Sequence, residues 1–154
     1  VREQKRLGYR ASKAGVGPLK SPIHTPEATQ AIISGKTNTT QRGSQSQMSV
    51  PIKLRGEVIG LLNITAEGQQ AWDQDDIDIA EAVAERVALA LENVRLLESS
   101  QSQASRERTV SEATSRIGAS VNMRSVLQTA VEELGRIIPG ADIMIQLGKA
   151  NEEN

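Results

Sequence analysis

The chain has 154 residues, 38% of them hydrophobic, which is enough for one modest domain. Aromatics are nearly absent (one Trp, one Tyr, no Phe), so any core is aliphatic, and nucleic-acid binding by base stacking lacks its platforms. The net charge of -1 gives no global field to draw phosphate or an anionic membrane, and with no Cys, disulfides, thiolate catalysis and thiol-linked cofactors are excluded.

The absence of Cys favours a cytoplasmic setting. No run approaches the roughly 20 apolar residues of a membrane span. The N-terminal stretch Val1-Arg2-Glu3-Gln4-Lys5-Arg6 lacks the apolar core of a signal peptide. It starts without an initiator methionine, which reads as a piece of something longer.

In chain order, the apolar patches at Leu7, Tyr9, Val16 and Leu19, with Gly15 and Gly17 between, predict a hairpin over roughly 7–11 and 16–20. "TPEATQAIISG", Thr25 to Gly35, predicts a short helix. Thr25 is the N-cap, Pro26 takes the first helical position, Glu27 suits the positive end, and Gly35 terminates it. Residues 36–47, "KTNTTQRGSQSQ", are polar and read as a loop. "VPIKLRGEVIGLLNIT", Val50 to Thr65, falls in a hairpin predicted over 48–65 that turns at Arg55-Gly56 or Gly56-Glu57. Either turn puts Val50, Ile52 and Leu54 on one face with Ile59 and Leu61, leaving Val58, Gly60, Leu62 and Ile64 on the other. The second strand is therefore expected to be buried on both sides.

Residues 73–98 carry the strongest helical pattern. Asp73 caps, and Asp75 and Asp76 sit in the first turn. Ala80, Val83, Val87, Ala90, Val94 and Leu97 then recur in steps of three and four, a coiled-coil spacing. Ile79, Ala84, Leu89 and Leu91 widen the apolar surface beyond one seam. No Pro or Gly interrupts 73–117, so a continuous helix is expected there. Gly118-Ala119-Ser120 breaks it, and Ser120 or Asn122 caps a further helix bearing Val126, Leu127, Ala130, Val131, Leu134 and Ile137. Pro139-Gly140 ends that helix. Ile143, Ile145 and Leu147 alternate with Met144 and Gln146 as a strand.

"PIKLRGEVIGLLNI" followed by "AWDQDDIDIAEAVAERVALALENVRL" resembles the last strand pair and C-terminal helix of a GAF domain, a cytosolic sensor module of bacterial histidine kinases and related signalling proteins. "GYR" and "PEATQAIISGK" are similar to the middle of the same domain. Thr109 to Gly148 resembles the beginning of another GAF domain, a leading helix and the first strand. The organisation expected is thus a partial GAF-like segment over 1–72, a signalling helix over 73–117, and a helix and strand over 118–154. The expected fold class is α+β: a GAF-like antiparallel sheet packed against long α-helices. The segment 123–147 closes that sheet either within the chain, as a permuted sheet, or by exchange with a second copy. Exchange is favoured, because a helix running to 117 carries the strand too far for easy fold-back.

Several motifs have plainer explanations. "SGKT" at Ser34–Thr37 follows a helix and has Gln30 where a phosphate-binding loop needs Gly, so it is a helix C-cap. "DQDDID" has Ile77 and Asp78 where a calcium loop needs Asp or Asn and then Gly, so it is a helix start. His24 is the only histidine and lies between two prolines, a surface-loop position. No catalytic residue and no metal ligand is assigned.

The resemblance implies a non-enzymatic sensory module of a two-component system, such as part of a histidine kinase. It implies a homodimer through the 73–117 helix (Val83, Val87, Ala90, Val94, Leu97) and a possible small-molecule ligand against Val58, Gly60, Leu62 and Ile32, with no nucleic acid and no membrane as partner. The alternative is a structural oligomerisation scaffold without ligand.

Overall fold

The computed structural model describes residues 8–68, 72–108 and 112–148, with the backbone alone for 98–108 and 112–122. Its elements are β1 (Gly8–Ser12), β2 (Gly15–Pro18), α1 (Pro26–Ser34), β3 (Asn38–Arg42), β4 (Gln45–Leu54), β5 (Glu57–Glu67), α2 (Gln74–Arg108), α3 (Glu112–Ile137) and β6 (Asp142–Leu147). The six strands form one sheet in the order β2-β1-β6-β5-β4-β3. Every neighbouring pair is antiparallel. The class is α+β, with α1 over one face and α2 with α3 over the other.

The expected hairpin at the start is β1–β2, and α1 forms as its caps predict. Thr25 accepts a hydrogen bond from the Ala28 N–H, Pro26 opens the helix, and Gly35 closes it in the left-handed region at φ 69. The stretch expected to be loop, 36–47, holds β3 and the start of β4. "NTTQR" carries no apolar residue because β3 is an edge strand lying at the margin of the core, so it needs none.

The β4–β5 hairpin turns at Arg55-Gly56, both with positive φ (56 and 85), which matches the twist of its strands. Its register departs from the expected one. Lys53 lies opposite Val58, but Ile52 lies opposite Gly60, so Ile59 is an extra residue on β5. The bulge exchanges the faces. Val50 and Ile52 share a face with Leu62 and Ile64, not with Leu61. The Ile59 carbonyl accepts a hydrogen bond from the Gly148 N–H, just past the end of β6, at 2.7 Å.

β5 is buried on both faces, as expected. Leu62 and Ile64 join the large core with Met48, Val50, Ile52, Ile143 and Ile145. Leu61 faces the other way and packs with Ile23, Ala28 and Ala31. The helical side of the large core is Ala80, Ala84, Val87, Ala88 and Leu91 of α2, with Leu127, Ala130, Val131 and Leu134 of α3. Each buried Leu, Ile or Val contributes about 1.5–3 kcal/mol, so this layer dominates stability.

The helix expected over 73–117 is two helices. α2 ends at Arg108, α3 starts at Glu112, and α3 runs through Gly118-Ala119-Ser120 without a break. The reason is tertiary. Each helical residue advances about 1.5 Å, so a single helix would carry β6 far from the sheet. Instead α3 comes back alongside α2, and β6 slots between β1 and β5 of its own chain. The fold-back expected to be difficult is achieved by a helical hairpin. Across the β1–β6 pair Arg10 donates two hydrogen bonds to Asp142, at 2.9 and 2.7 Å. The hydrogen bond first, and the opposite charge second, hold the guanidinium above arginine's ordinary pKa.

Candidate functional site

The α1 face of the sheet differs in character from the aliphatic helical face. Ser49 on β4 and Asn63 on β5 lie opposite each other, both buried, and the Ser49 hydroxyl donates to Asn63 Oδ1 at 2.7 Å. Gln146, fully buried on β6, accepts from the Ile23 N–H at 2.9 Å, while its Nε2 has no partner. Glu27, in the first turn of α1, is only 4% exposed. Its Oε2 accepts from Thr40 at 3.2 Å and pairs with Arg42 at 2.8 Å, and its Oε1 has no partner. Gln47 Oε1 is likewise buried and unpartnered. Buried polar groups are normally satisfied; the Trp72 indole N–H, packed against the large core on the other side, is unpartnered as well.

These groups come from alternation. On β4 and β5 the residues facing α1 are the odd-numbered ones after the bulge, and they include Ser49, Leu61 and Asn63. The helix start picks out Glu27, whereas Ser49 and Asn63 carry no motif and Gln146 shows only as a polar member of the β6 alternation. The signal available was a polar residue at an alternate position within an otherwise apolar strand.

Of the residues expected to meet a ligand, Leu62 is fully buried in the helical core, and Ile32 packs in the α1-side cluster on the opposite face. Val58 is half-buried. Gly60 is closed off by β6, since a Cβ there would lie 2.6 Å from the Gln146 carbonyl oxygen. The four do not converge. Among the dimer residues expected on α2, Val87 is buried in the core, Val83, Ala90 and Val94 are half-buried, and Leu97 is exposed. Val83, Val87 and Ala90 line a groove of about 430 Å³ against Val126, Ala130 and Ile137 of α3. Three residues of the expected seam therefore face this chain's own α3. Leu89, Leu96 and Ile137 remain exposed on the helical layer.

Among the described residues, no group of His, Cys, Asp and Glu could hold a metal, and no helix is long and apolar enough to cross a membrane.

A six-stranded antiparallel sheet with a short helix over one face and a long helical pair over the other is an α+β architecture that by itself assigns no activity. A family model for the GAF domain matches residues 9–91, more than half of the chain, and the protein belongs to the GAF family. GAF domains are generally regulatory ligand-binding modules without catalysis of their own. The matched region runs from β1 to Leu91 in α2, while α3 and β6 lie beyond it and complete the helical layer and the sheet. No curated protein and no solved structure was found to match the chain.

Proposed function

We propose that the chain is a cytoplasmic, non-enzymatic sensor of a bacterial signalling protein, such as a histidine kinase. A small ligand acts on the α1 face, and the change passes through the sheet to α2. The observation that carries this reading is the double burial of β5. Leu61 packs under α1 while its neighbour Leu62 packs under α2 and α3. A close-packed strand cannot shift on one face without moving the other. The unpartnered Glu27 and Gln146 atoms on the α1 face are the groups a polar ligand would meet. The test is a thermal-shift screen of nucleotides and small metabolites. A ligand that raises the melting temperature, and whose effect is lost in Ser49→Ala, supports the reading. A screen without any such ligand favours the scaffold.

The homodimer belongs to the same proposal, on the outer face of the helical pair. Leu89, Leu96, Leu97 and Ile137 are each about half exposed or more (57%, 59%, 50% and 48%), which favours a covering partner. Light scattering on the double variant Leu89→Glu, Leu96→Glu should give half the mass of the parent chain with helical content retained. An unchanged mass would move the interface elsewhere.

A further inference from the structure

β4 outlasts β3. The first residue of β3, Asn38, lies opposite Ser49, so the outer edge of Val50 to Leu54 has no strand beside it. Pro51, which has no N–H to leave unpaired, stands on that edge. The chain leaving α1 crosses in front of it, and the first turns of α2 close from the other side. The result is a cleft of about 630 Å³, within the range of small-molecule sites. It opens beside α2 at the margin of the sheet, away from the Ser49–Asn63 pair beneath α1.

Two tethers shape the cleft. The Thr37 hydroxyl donates to Glu81 Oε2 at 2.5 Å, and Lys53 Nζ donates to the Gly35 carbonyl at 2.8 Å. The floor is apolar, with Val50 and Ala84 buried and Ile77 half-buried. The walls carry opposite charges, with Lys36 and Lys53 on one side and Glu81 and Glu85 of α2 on the other. Among the described residues neither Lys36 nor Glu85 makes an ion pair, so both are available.

That arrangement selects by charge. A polyanion meets Glu81 and Glu85, and a polyamine meets Lys36 and Lys53, each at an electrostatic cost. A compact molecule with one charge of each sign satisfies both walls. We propose that this cleft binds a small zwitterion of the free amino acid class. Its carboxylate lies toward Lys36 and Lys53, its ammonium toward Glu81 and Glu85, and its aliphatic part rests on Val50, Ile77 and Ala84. The occupant bridges the α1–β3 connection to α2. The site is separate from the α1 face and does not depend on the ligand proposed there.

The test is titration calorimetry of the whole chain with a panel of free α- and ω-amino acids. Acetate and methylammonium serve as the single-charge halves. At least one zwitterion should bind, with each half weaker by at least about tenfold. Lys36→Gln and Glu85→Gln, both on exposed side chains, should each weaken that zwitterion at least about tenfold with the melting temperature unchanged. The proposal is overturned if no amino acid binds up to about 10 mM, or if a half binds as well as the whole. Binding that survives both substitutions also overturns it and places the ligand elsewhere, with the Ser49→Ala variant then reporting on the α1 face.

Discussion

At Gly60 a side chain has nowhere to go. A Cβ would lie 2.6 Å from the Gln146 carbonyl oxygen and 3.1 Å from Leu147 Cδ2, so β5 and β6 approach each other closely because the residue is glycine. The space that the resemblance offers to a ligand at this position is taken up by packing against β6. Gly60→Ala should cost about 1–3 kcal/mol in urea unfolding. Gly17→Ala, where the space is open, should stay within about 0.5 kcal/mol. Equal effects at the two positions would contradict the β5–β6 packing. The polar residues of the α1 face were less legible. Glu27 announced itself through the helix start, but its burial depends on Thr40 and Arg42 of an edge strand that reads as a loop. Asn63 and Gln146 look like surface residues until both faces of their strands are known to be covered.

The elements with strong periodicity or caps were readable: α1 from Thr25-Pro26 and Gly35, the β4–β5 hairpin from Arg55-Gly56, the first turns of α2 from its aspartates, and β6 from its alternation. The bulge at Ile59 was not, because the register of β5 is also set by β6 and by the Gly148 hydrogen bond to the Ile59 carbonyl, both remote in sequence. The passage of α3 through Gly118 was missed for a related reason. A helical glycine costs about 1 kcal/mol, which the packing of Leu127, Val131 and Leu134 on the sheet outweighs. The same helical pair changes the meaning of the α2 stripe. Val87 is 4% exposed and belongs to the core, whereas Leu89 is 57% exposed. Val87→Glu should therefore lose about 3 kcal/mol or more of stability through a buried unpaired charge. Leu89→Glu should leave the thermal midpoint nearly unchanged. If Val87→Glu kept full stability and only altered the oligomer, α2 would not pack as described.

For the whole molecule, the question raised by the resemblance to two partial modules was what closes the sheet. The segment 123–147 is expected to close it by exchange with a second copy in preference to fold-back, and the structure closes it within the chain instead. Its helix and strand now stand in the middle of the fold, with β6 between β1 and β5 and α3 beside α2. An aliphatic core with almost no aromatics can be continuous only if those two elements are present, since Leu127, Val131, Leu134, Ile143 and Ile145 all lie in it.

That placement is tested most directly by a cross-strand disulfide in a chain that has no cysteine of its own. Thr65 and Asp142 are paired across β5 and β6, where Cα atoms lie close enough to be bridged. The double variant Thr65→Cys, Asp142→Cys, oxidised in dilute solution, should give an internally bridged species of single-chain mass on a non-reducing gel. A covalent dimer, or two thiols that stay free, would contradict closure of the sheet by the chain's own last strand.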